Sequence, residues 1–166
     1  MPATYEPIAT TTLAASASSI TFSSISSSYT DLKVIWSVLC SQDTNLYARF
    51  NSDSGNNYSF TRFTGNGSTA TSGRGGGRAQ IDLAVVGSTG SGVTFCEFDI
   101  FSYSGSTNKT VLSKYNSDKN GSGAVECVVG LWRNTSAINS ITLLPSSGSA
   151  NLLAGTTATL YGILKA

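Results

Sequence analysis

Glu97 and Asp99 stand two residues apart in the run Val93 to Tyr103 and are the nearest approach to an acid pair in this chain. On a strand, residues i and i+2 share a face about 7 Å apart. A retaining glycosidase holds its two carboxyls about 5 to 5.5 Å apart across a sugar, usually on different strands. Neighbours on one strand therefore fit a solvated or interface face better than a hydrolytic centre. Gly73, Arg74, Gly75, Gly76, Gly77 and Arg78 suggest a phosphate-gripping loop, but the Walker arrangement needs Lys followed by Ser or Thr and then a helix. Here Arg78 runs into Ala79 and a strand pattern. Asn116, Asp118, Asn120 and Gly121 match the opening of a calcium loop, yet the place of its bidentate carboxylate falls on Cys127. A looser cation site at Asp53, Asn56 and Asn57 is left as the alternative to an ordinary turn.

The residues that are missing narrow the chemistry further. The chain has 0 His, so the usual general base near neutral pH and the commonest metal ligand are absent. The 3 cysteines, Cys40, Cys96 and Cys127, form no CxxC pair, and each replaces an apolar residue within an alternating run. They are expected to be buried thiols. No catalytic residue, metal or cofactor is assigned, and the chain is read as not an enzyme. Ten Lys and Arg against 9 Asp and Glu leave +1, too weak a field to gather nucleic acid or an anionic membrane. Tyr47, Arg49, Tyr58, Arg62 and Tyr103, with Arg74 and Arg78, could instead supply an aromatic and basic surface for a protein or glycan partner. The candidate binding residues are Arg62, Arg74, Arg78, Tyr47 and Tyr58.

These side chains must be positioned by strands. Apolar residues recur with period two in about ten segments bounded by Gly, Asn, Asp and Ser, with almost nothing at period 3.6. The segments are 19–22, 31–41, 46–51, 58–64, 80–86, 93–103, 110–116, 124–133, 138–144 and 157–164. The pattern predicts an all-β chain, a two-sheet antiparallel sandwich, jelly-roll-like, of about eight to ten strands in a single domain spanning 1–166. The stretch 65–78, rich in Gly and Ser, reads as the longest unstructured piece, and Ser/Thr tracts such as Thr10 to Thr12 as strand edges and turns.

Cys96, Phe98 and Ile100 are expected to face inward and Glu97 and Asp99 outward. In 31–41, Leu32, Val34, Trp36 and Val38 share one face, but Ile35 and Leu39 make the other apolar too, so the strand should be central or meet another subunit. In 124–132, Val125, Cys127, Val129 and Leu131 oppose Val128 and Trp132 in the same way. No run of about 18 apolar residues exists. The start of the chain lacks the basic and apolar parts of a secretory signal, so a soluble product without a secretion address is expected.

Longer strings resemble a known group. YEPIATTTL at 5–13, ASSITFSSI at 17–25, YTDL at 29–32, RFNSDSGNNYSFTRFTGNGS at 49–68, VGLWRNTSAINSITLLPSSG at 129–148 and ATLYGIL at 158–164 resemble small free-standing proteins of marine tailed bacteriophages. Ser26 stands where that group is expected to have Pro. The resemblance carries no catalytic motif. It implies a β-rich virion structural protein, assembled in the host cytoplasm and located on the particle surface. The leading expectation is a capsid decoration or cement protein, a homotrimer docking on the major capsid protein or other virion proteins, with no nucleic-acid or membrane partner. The alternative is a tail-fibre or receptor-binding module contacting host glycan. A carbohydrate-active enzyme is a third class and would require facing carboxylates in a cleft.

Overall fold

The computed structural model describes residues 4–86, 92–117, 123–146 and 148–164. Twelve strands form two antiparallel sheets, confirming the expected all-β, jelly-roll-like sandwich while exceeding the expected strand count. The strands are β1 (Tyr5–Thr12), β2 (Ile20–Phe22), β3 (Asp31–Val38), β4 (Thr44–Phe50), β5 (Tyr58–Gly65), β6 (Ala70–Arg78), β7 (Ile81–Val86), β8 (Thr94–Phe101), β9 (Lys109–Ser117), β10 (Ala124–Trp132), β11 (Ile141–Pro145) and β12 (Thr157–Ile163). The larger sheet has the order β1-β12-β3-β8-β9-β10-β5-β6, and the smaller β2-β11-β4-β7.

The two strands beyond those expected are both edges of the large sheet. β1 is interrupted by Pro7 and a register shift between Pro7 and Ala9, which breaks the period-two signal. β6 replaces the expected unstructured stretch: Ala70 to Gly75 pair in step with Gly65 to Phe60, although the strand carries hardly an apolar residue. Its order comes from its neighbour's ladder.

Alternation on the central strands reads out directly as burial. Leu32, Val34, Trp36 and Val38 of β3 are 0% exposed, as are Cys96, Phe98 and Ile100 of β8. β3 is central as expected, lying between β12 and β8. An aromatic cluster fills one end of the core: the Tyr58 ring stacks on Trp132 at 6.2 Å, and Phe50 meets Trp132 edge-on at 5.6 Å. Gly162 on β12 is fixed by close approach, because a Cβ there would lie 2.3 Å from the Tyr29 ring.

Turns are tied by polar side chains. The Asp53 carboxylate accepts from Trp132 Nε1 at 2.7 Å, Asn57 Nδ2 at 2.9 Å and the Gly55 amide at 2.8 Å. Burial pushes its pKa up, but the three donors outweigh that and hold it below the ordinary carboxylate value. The donors occupy the oxygens that the looser cation site at Asp53, Asn56 and Asn57 would need. Lys109, fully buried, donates through Nζ to the carbonyls of Gly105 at 2.7 Å, Thr107, and Thr135 at 3.4 Å, gathering two loops. Desolvation lowers its pKa. Asp118, Asn120 and Gly121 of the calcium-loop reading lie outside the described residues.

Candidate functional site

The large sheet presents its outer face to solvent, and apolar side chains gather there. Alternation on β10 turns Glu126, Val128 and Trp132 inward and leaves Val125 58% and Val129 50% exposed on the opposite face. Phe95 and Phe101 of β8 and Phe63 of β5 join them on the outside. Register places Glu97, Lys114, Cys127 and Phe63 in one cross-strand row and Asp99, Leu112, Val129 and Thr61 in the next. The double-sided apolar character read from the sequence is therefore real, with the second face uncovered in the single chain. An apolar grouping of this kind on a soluble domain marks an interaction surface.

Charges run across the middle of that face. Lys33 Nζ lies 3.2 Å from Glu97 Oε2 and 3.2 Å from Asp99 Oδ1, and Lys114 Nζ lies 3.8 Å from Glu97 Oε1. Burial alone would lower the Lys33 pKa, but hydrogen bonds and charges from Asp99 and Glu97 reverse this and raise it. Glu97 and Asp99 point outward as expected, clamped by lysine rather than opposed across a cleft. Two cations and two anions make this group of four electrically neutral.

Cys127 corrects the expectation of three buried thiols. Cys40 and Cys96 are buried, but Cys127 is half-buried because its strand position belongs to the outer face. Desolvation pushes Cys40 up to about 11 and Cys96 up to about 12, so both are poor nucleophiles at neutral pH.

The five candidate binding residues separate into three places. Tyr58 is a correction: it is 0% exposed, and its hydroxyl donates to the Asp53 carbonyl at 3.1 Å and accepts from the Phe50 amide at 3.1 Å. It serves the core and reaches no external partner. Arg62 lies on the inner side of the sheet and Arg78 at its rim with its side chain 49% exposed, and both sit over the Phe60 ring, at 5.6 and 5.8 Å. Tyr47 joins them through Asp82, whose carboxylate it hydrogen-bonds and which lies 4.0 Å from Arg78 Nη2. Arg74 alone lies on the outer face, opposite Thr61.

Sequence reasoning missed the acids of this inner seam. Asp82 is 5% and Glu126 3% exposed, and Thr64 donates to Glu126 Oε2 at 2.5 Å. Desolvation raises the Asp82 pKa; Arg78, Arg62 and Tyr47 pull it back, while Glu126 adds to the rise. The even positions of β10, where Glu126 alternates with Val128 and Trp132, were the available signal. Both acids are shut from solvent: Asp82 ties Arg78 of the β5–β6 hairpin to the edge strand β7 of the small sheet, and Glu126 ties β10 to Thr64 of its neighbour β5. Among the described residues no group of three or more His, Cys, Asp or Glu is placed to hold a metal ion.

Beside Arg74 the outer face dips into an open hollow of about 600 Å³, bordered by Ser59, Thr61, Thr110, Val129, Leu131 and Gly76. A Cβ at Gly76 would meet nothing within 4 Å, so the border there is bare backbone with open space beside it.

The fold and these surfaces define a two-sheet antiparallel β-sandwich with an uncovered apolar face. No protein-family model matches the chain, and no curated protein matches it. Among solved structures, galectin LEC-6 of Caenorhabditis elegans is similar at 9% identity, covering 91% of this chain and 94% of that one, with a TM-score of 0.38. A likeness at that level carries nothing about ligand or chemistry.

Proposed function

We propose that this chain is a non-enzymatic virion assembly protein, a head decoration protein of a tailed bacteriophage that buries the outer face of its large sheet against the major capsid protein and sister copies. One observation carries the docking part: Phe63, Phe95, Phe101, Val125 and Val129 are 40–58% exposed, all on one face of one sheet. Water contact with such a face is unfavourable by about 25 cal/mol per Å² of apolar surface. The virion assignment is supported by the word-level resemblance that runs from Tyr5 to Leu164. The mechanism is passive: a protein that binds the assembled lattice and not free subunits stabilises the lattice by mass action.

The face spans about 24 Å across β3, β8, β9, β10 and β5 at about 4.8 Å per strand, and a similar length along them. With side-chain relief this approaches the roughly 800 Å² per partner of a standard interface. Self-association into a trimer belongs to the same proposal. The test is a density map of intact particles with a copy count, paired with light scattering of the isolated chain. Many copies over the head with this face against the shell are expected. Copies confined to the tail, or Val125→Glu/Val129→Glu protein decorating heads as well as wild type, would refute it.

A further inference from the structure

β6 is an unusual edge. It is the terminal strand of the large sheet, nine residues long, and reads ATSGRGGGR, with no large apolar side chain to shield its outer backbone row. Such a row of unpaired N–H and C=O groups is a template for another strand, and natural edges are normally blunted by prolines, bulges or short length. The other edges are blunted. β1 carries Pro7 and a register shift, β2 has three residues, and β7 is bridged to the overhanging hairpin through Asp82 and Arg78. On β6 the register shift lies at the Arg78 end, and the six positions from Ala70 to Gly75 remain regular.

Charge narrows the partner. β6 contains Arg74 and Arg78 and no acid, and Arg74 is exposed with no ion pair among the described residues. Two copies joined β6 to β6 would bring these arginines toward one another, which opposes self-pairing. The hollow beside Arg74 and Gly76, bordered by Val129 and Leu131, provides room for an apolar side chain next to an anion.

We propose that β6 is a strand-addition site for an extended acidic segment of a partner protein, whose backbone continues the large sheet, whose carboxylates meet Arg74, and whose apolar side chain enters the hollow at Gly76. Main-chain pairing supplies affinity in this mode, and the alternate side chains supply selectivity. The site borders the broad apolar face at Val129, but its test uses the isolated chain and stands or falls independently of the virion assignment.

The probe is a fluorescein-labelled peptide of alternating Val and Glu, about eight residues long to match a strand. It is titrated into the full chain by anisotropy, alongside the alternating Val and Lys peptide. Saturable binding of the acidic peptide alone is expected, with amide exchange slowed in 70–78. Arg74→Glu should weaken it about tenfold or more and confer affinity for the lysine peptide. Gly76→Val, which adds a side chain in open space and favours a strand, should weaken it while leaving the melting curve unchanged. Absence of saturable binding, equal binding of both peptides, exchange protection elsewhere, or a dimer that itself protects 70–78 would each overturn the proposal.

Discussion

Replacing Asp53 by alanine isolates the polar tie between the β4–β5 turn and the aromatic end of the core. The substitution removes the acceptor for Trp132 Nε1, Asn57 Nδ2 and the Gly55 amide at once. Trp132 is 0% exposed, so its indole N–H loses its partner where water enters poorly, at a cost of about 1 to 3 kcal/mol. The other two bonds lie nearer solvent and add about 0.5 to 1 kcal/mol each. A total near 3 kcal/mol corresponds to a fall in Tm of about 6 to 12 °C for a chain this size. Urea unfolding followed by tryptophan fluorescence measures it.

Asp53→Asn separates charge from shape, since its amide oxygen still accepts from Trp132, and should cost about half as much. A pH arm tests the electrostatics. The folded carboxyl lies below its unfolded value, so its stabilisation is present above the unfolded pKa and is lost as pH falls through the folded one. Wild type should therefore lose stability on acidification more steeply than Asp53→Ala. A loss under about 0.5 kcal/mol with an unchanged acid slope would show that the turn is held by other contacts.

Gly162→Ala should destabilise by about 1 to 3 kcal/mol through the close approach to Tyr29, and the double variant with Tyr29→Ala should fall short of the summed single losses in denaturant titrations. One thiol per chain should react quickly with a disulfide reagent in the native state, and Cys127→Ser should abolish that reaction; two or more fast thiols would contradict the burial of Cys40 and Cys96. Because Cys40 and Cys96 are pushed up to about 11 and about 12 in the fold, the unfolded chain loses both thiol protons first as pH rises, and each thiol should contribute about 2 to 3 kcal/mol to a decline in stability between roughly pH 9 and 11. Cys40→Ala should remove the Cys40 share of that decline in unfolding curves across the same range and leave that of Cys96.

The sandwich was legible because the central strands carry its plan in their alternation. Cys96, Phe98 and Ile100 against Glu97 and Asp99 give the correct inner and outer faces of β8, and the two apolar faces of 31–38 mark β3 as an interior strand. β6 was not legible, because a glycine-rich edge is held by the backbone of β5 and needs no pattern of its own. The binding residues were legible as types but not as a set. Tyr58 shares the inward face of β5 with Phe60, yet its burial depends on the Phe50 amide meeting its hydroxyl, a contact across the β4–β5 turn that side-chain chemistry alone does not reveal. Arg62 and Arg74 differ by pairing register: one stands opposite Gly73 and Val128, the other opposite Thr61.

The pairing of β1 with β12 brings the two ends of the described fold together, with the Leu164 amide 3.0 Å from the Thr4 carbonyl. Thr4 and Leu164 therefore lie on one rim of the molecule, separated from β6 by seven inter-strand steps, or about 34 Å. A circular permutant linking those ends and opened at the exposed Asn66–Gly67 turn should retain every strand pair.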